Sequence, residues 1–290
     1  MLCLAAALAL AAPPAPTVTL DAPGSAPLAP LVITPTVGTV EEATLTLTLT
    51  ARSQGAEGIP VGELPTLTLG LAVEPLHVAD TIRYQVAVRE ASAADTGNAD
   101  LDPALDAALA PLTEVTGQLE VTPTGRALHA DWSAPPTVDP SLVEELRKAV
   151  TFALPTLPDE PVGIGASWTV RRPLADQGFA VTQVETWTLV ARSATGTTLR
   201  ASLQQEAELG QAVEGLGEGL QATLKRHLAI GDAAYELDAG RLMPREALEG
   251  MTVKYKVAVA KEDQTTVLST IVGHELALRR SDAPPPSGSR

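Results

Sequence analysis

The chain has 290 residues, room for one large or two ordinary domains and ample for a buried core. Hydrophobic residues make up 45% and aromatic ones only 3%, so the interior must be built from Leu, Val, Ile and Ala. Thirty-five acids against 20 bases leave a net charge of -15, which opposes nucleic acid and anionic lipid surfaces and excludes a general nucleic-acid binder.

Residues Leu2 to Ala12 are an unbroken apolar run ending in Ala-Ala before Pro13. Such a run is too short to span a bilayer and suits the apolar region of a signal peptide, although no Lys or Arg precedes it. Residues 1–12 therefore predict export to the periplasm, the cell envelope or the medium. The sole cysteine, Cys3, precedes the run, so a lipoprotein anchored there would need a longer precursor. Residues 13–38 are rich in Pro, Ala and Thr and read as an extended linker. Membrane attachment is expected only through such an N-terminal anchor.

From residue 39 to 280 period-two alternation dominates, as half-buried strands require. Leu45, Leu47 and Leu49 alternate with threonines, and Leu67 to Val73 and Ile82 to Arg89 follow the same rule. Leu101 to Leu112 is a helix with leucines spaced by four and Asp100 before it as a cap. Val115 to Thr122 and Leu128 to Trp132 flank the turn Pro123-Thr-Gly125. A second helix starts at Pro140 after Asp139 and carries Leu142, Leu146, Ala149, Val150 and Ala153 on one face until Pro155 stops it. The proline-rich stretch 154–168 is the candidate joint between halves 39–154 and 155–280. Further strands are expected over Phe179 to Arg192, Thr197 to Gln204, Leu220 to Ile230, Ala234 to Leu237, Thr252 to Ala260 and Thr265 to Leu278. Residues 281–290 read as a disordered tail. The fold class is mainly β (α+β): a curved, antiparallel, meandering sheet or half-barrel with two covering helices and two related halves.

Two segments stand out. In the first, Pro158, Pro161 and Val162 approach Gly165, Ser167 and Trp168, and Trp168 anchors a new strand in the core. In the second, Gly231, Tyr235, Asp238 and Gly240 form a strand, a tight turn and a return through Arg241-Leu-Met243. Asp238 there is expected to hold local backbone amides, so Gly240→Val should be more damaging than Asp238→Asn. In this order the two segments resemble a family of uncharacterised secreted bacterial proteins with a Pro-x-x-Pro-Val-x-x-Gly-x-Ser/Thr-Trp segment and a later Asp-x-Gly hairpin. The resemblance implies a β-rich envelope protein, similar in shape to half-barrel carriers of lipoproteins and lipids.

His77, His129, His227 and His274 are isolated in sequence and read as strand-surface residues, not metal ligands. Gly163-Ile-Gly165-Ala-Ser167 is not a nucleophile elbow, and Gly215-Leu-Gly217-Glu-Gly219 lacks the context of a phosphate loop. Carboxylate pairs such as Glu41-Glu42, Glu144-Glu145 and Glu206/Glu208 follow from the acidic composition. Arg171-Arg172, Lys225-Arg226-His227 and Arg279-Arg280 read as solvated strand edges. No catalytic, cofactor or metal residue is assigned. The functional expectation is a non-catalytic secreted or envelope protein binding a hydrophobic small molecule or an envelope protein partner in a concave sheet. The alternatives are a structural or interaction protein with a fully packed interior and, third, an enzyme with a site assembled from distant strands.

Overall fold

The computed structural model describes residues 15–54, 62–63, 65–176, 179–213, 220–261 and 264–283. The expected signal segment, residues 214–219 and the tail beyond residue 283 lie outside the described residues. The strands are β1 (Thr17–Ala22), β2 (Ser25–Ala29), β3 (Glu41–Gln54), β4 (Gly62–Glu63), β5 (Leu67–Val78), β6 (Ile82–Ala93), β7 (Thr116–Val121) and β8 (Ala127–Ser133). After them come β9 (Val162–Ile164), β10 (Ser167–Asp176), β11 (Phe179–Arg192), β12 (Gly196–Ala207), β13 (Ala212–Val213), β14 (Leu220–Asp238), β15 (Glu246–Lys261) and β16 (Gln264–Arg280). Helices α1 (Leu101–Leu109) and α2 (Pro140–Phe152) interrupt them, α1 running into a 3-10 turn over Ala110–Glu114.

The fold is mainly β, as the alternation predicts. One antiparallel sheet runs in the order β1-β10-β11-β12-β14-β15-β16-β3-β5-β6-β7-β8, with β4 added on β3 and β13 on β14, while β2 and β9 pair separately. The sheet is open: β1 and β8 are its edges and do not pair with each other among the described residues. Apart from the edge strand β1, residues 39–154 and 155–280 supply its two contiguous blocks, joined where Ala43–Gln54 of β3 pairs with Ser269–Arg280 of β16. A single buried cluster runs through both blocks, from Leu45, Leu71 and Tyr84 to Trp168, Leu199 and Tyr235. The stretch read as a joint belongs to this core: Leu154 and Leu157 are buried, and Thr156 with them.

Helix α2 packs on the inner face of the sheet, the one that carries Tyr235 and Arg172. Of the stripe expected from the sequence, Leu146, Ala149, Val150 and Ala153 are buried there and Leu142 is partly buried. Its last turn is fixed by Tyr235, whose hydroxyl donates to the Phe152 carbonyl at 2.6 Å, and by Arg172, which sits 5.0 Å above the Phe152 ring. At α1 Asp100 takes the N-cap position as expected but its side chain makes no capping bond; the Asn98 side-chain oxygen instead accepts from the amides of Asp100 (3.1 Å) and Leu101 (3.3 Å). Leu109 and Leu112 are buried behind it, and Leu101 is exposed.

Three further expectations need correction. The segment read as a linker contains β1, which pairs with β10 at the sheet edge, and β2, which pairs with β9. Val18 and Leu20 alternate onto the core, Leu31 and Ile33 are buried, and prolines punctuate edge strands without preventing them. Leu220–Asp238 is one strand, not two, and residues 241–245 form a loop where a returning strand was expected. Of the basic pairs, Arg172 and Arg280 are buried, each held by carboxylates.

Candidate binding site on the concave face

Register places the side chains of the inner face in rows across the sheet. One row runs Leu199, Tyr235, Ala247, Leu278, Leu45 and Leu69, and every member is buried. The next runs Ala201, Ala233, Glu249, Leu276, Leu47 and Leu67, in which Glu249, Leu47 and Leu67 are only partly covered. In the third, Leu203, Gly231, Met251, His274 and Leu49, exposure reaches 41% at Leu49. Along β15 and β16 the same face continues through Val253 and Tyr255, both buried, and through Val257, Val259, Leu268, Thr270 and Val272, all partly covered. Cover is therefore complete at the α2 end and along β15 as far as Tyr255, and it thins at Leu47 and Leu49 of β3 and along β16 from Val272 to Leu268.

At the boundary sits a buried polar cluster. Arg172 Nε donates to Glu185 Oε1 at 3.2 Å and its Nη2 to the Thr156 hydroxyl at 3.1 Å. Trp187 Nε1 donates to Glu185 Oε2 at 2.9 Å, and Gln183 Nε2 to Glu185 Oε1 at 3.2 Å. Gln205 Nε2 reaches Gln183 Oε1 at 3.4 Å, leaving its own carbonyl oxygen buried without a hydrogen bond. Trp187 stacks on Trp168 at 6.3 Å and meets Tyr235 edge-on at 5.3 Å.

Glu249 has no hydrogen bond or ion pair among the described residues. Burial pushes its carboxyl up to about 7, the Glu185 carboxylate adds to this, and Arg172 opposes it. Burial likewise holds the Tyr235 hydroxyl well above its ordinary value. The unfolded Glu249 carboxyl titrates near 4.5, so between 4.5 and 7 the folded state holds the extra proton. Its favourable contribution is present below that window and is lost as pH rises through 7. Glu249→Gln, neutral throughout, should melt above wild type at pH 8 and close to it at pH 5. Parallel Tm-against-pH curves for the two proteins would count against a titrating Glu249.

The residues singled out by sequence divide between packing and a second charge network. Pro158, Val162 and Trp168 are buried, Pro161 is exposed, and Gly165 takes φ +81° in the turn that enters β10. Gly231 lies on the inner face, where a Cβ would come within 2.2 Å of the Gly250 carbonyl. Tyr235 belongs to the aromatic group of Trp168 and Trp187. Asp238 holds side chains, not local amides: it pairs with Arg245 and, at 2.5 Å, with Arg280 Nη2. Burial raises its carboxyl, but the two guanidiniums outweigh this and leave it below the usual range. The loop amides of Leu242 (2.8 Å) and Met243 (2.9 Å) go instead to Glu41.

This inverts the expected order of damage. Gly240 has φ +76° but open space where a Cβ would stand, so Gly240→Val should cost about 1–2 kcal/mol of backbone strain. Asp238→Asn removes the charge between two guanidiniums and should cost about 1.5–3 kcal/mol, the upper value if neither arginine finds another acceptor. Urea melts of both variants check this, and an Asn variant as stable as wild type would show the network to be dispensable.

Of the histidines, His129 is exposed and lies 2.7 Å from Asp131. No group of three or more His, Cys, Asp or Glu converges as a metal site among the described residues. On the opposite face of the sheet a trough of about 510 Å³ lies over Gly250 and Gly273, between Asp232 and Glu275. No protein-family profile matches the chain, and no curated protein matches it.

Proposed function

We propose that the protein is a non-catalytic binding protein of the cell envelope or the secreted space, holding a hydrophobic molecule or partner segment on its concave face. The observation that supports this is the loss of cover across the inner rows, from a fully buried Leu45 to Leu49 at 41% exposure on the same face of the same strand. A sheet face bearing leucine and valine without a covering element carries a cost in water that an apolar occupant removes. The apolar run at Leu2 to Ala12 supports the location. The rival reading, a structural protein with a packed interior, draws on α2, whose buried stripe fills the other end of the concavity.

Native mass spectrometry of the protein purified from its own envelope fraction distinguishes the two. A bound species of small mass that is lost in Leu49→Arg is the expected result. A uniformly ligand-free spectrum favours the packed structural reading, and recovery from the cytosol removes the location.

A further inference from the structure

We propose that the concave site takes a single-chain amphiphile with an ammonium head, Glu249 receiving the head and Leu47, Leu49 and Val272 the chain. This rests on the binding reading above and adds the head group to it.

Charge favours a cation. The cluster holds two carboxylates, Glu185 and Glu249, against one guanidinium, and Arg172 is already committed to Glu185 and to Thr156. The remaining donors to Glu185 are Trp187 and Gln183, so that carboxylate is satisfied. Glu249 has no hydrogen bond or ion pair among the described residues, and part of its side chain stays accessible. An unpaired carboxyl in such surroundings gains more from a cation than an exposed one would. A carboxylate head would instead meet two acids, with Arg172 already engaged.

Position favours an amphiphile over a bare cation. Glu249 is opposite Leu276, Leu276 is opposite Leu47, and Leu49 and Val272 extend the same face beyond them. Two strand spacings, about 10 Å, separate the Glu249 backbone from that of Leu47. A chain leaving a head at Glu249 crosses the buried Leu276 and then meets the accessible aliphatic surface of Leu47, Leu49 and Val272. The other titratable groups facing Glu249 are Glu185 on β11, Arg172 on β10 and Tyr235 on β14, with His274 at the next inner position of β16 after Leu276. Helix α2 turns the ring of Phe152 toward the cluster.

The test titrates dodecylamine, dodecanol and dodecanoate into the full chain at pH 8, followed by tryptophan fluorescence and native mass spectrometry. High salt screens the general pull of a chain with net charge -15 on any cation. The ammonium form should bind at least about tenfold tighter than dodecanoate, a difference of about 1.4 kcal/mol, with dodecanol between them. Glu249→Gln should remove most of that preference and leave dodecanol binding intact. Lowering the pH well below 7, which protonates Glu249, should reduce the preference in wild type. Leu49→Arg, at a position too exposed to endanger the fold, should abolish binding of the amine. Equal affinities for the three heads, or a preference unchanged in Glu249→Gln, would overturn the head-group assignment and leave hydrophobic binding standing. Failure of all three to bind would overturn both.

Discussion

Replacing Trp168 by alanine is expected to lower unfolding free energy by about 3–5 kcal/mol, because a fully buried indole is removed from a site that cannot collapse. Its exposure is 0%, and its ring stacks on Trp187 at 6.3 Å. Its Nε1 donates to the Thr156 carbonyl at 2.9 Å, inside the same buried segment whose hydroxyl holds Arg172. Truncation thus leaves a cavity, an unsatisfied carbonyl and a looser seat for Arg172 together. Trp168→Phe keeps a ring but not the donor and should lose less. A urea midpoint of Trp168→Ala equal to that of wild type would mean that the ring carries no packing and would reopen a ligand-stacking role for it.

The strands were legible where alternation was strong. Phe179 to Arg192 is β11 to the residue, because Phe179, Val181, Trp187 and Leu189 alternate with polar or exposed neighbours and its turn at Ser193–Gly196 is built from turn formers. The same alternation also held the missed signal: Gln183 and Glu185 occupy positions of the parity that Phe179, Val181, Trp187 and Leu189 send into the core. A polar residue in an apolar register needs a buried partner, and Arg172, at the inner parity of β10, supplies it. Glu249 was hidden because β15 begins at Glu246, ahead of the run from Thr252 that composition suggests. The linker reading failed for a different reason. Proline content reports local stiffness, whereas pairing of Thr17–Ala22 with β10 is decided by an edge that lies about 150 residues away along the chain. Likewise, nothing near Asp238 in sequence announces Arg280, its partner 42 residues on.

Arg172→Met should destabilise the protein by about 3–5 kcal/mol at neutral pH, since it strands a buried carboxylate. Arg172 is 8% and Glu185 3% exposed, and after the change Glu185 would keep only the donors of Gln183 and Trp187. A second change, Glu185→Leu, removes the stranded charge, and the double variant should recover most of the stability, as apolar replacement of a buried pair commonly does. Thermal melts of the two singles and the double close the cycle, and a double variant no better than Arg172→Met would show that the residues do not act as a pair. If the double variant recovers stability, folding alone does not account for an ion pair at this place.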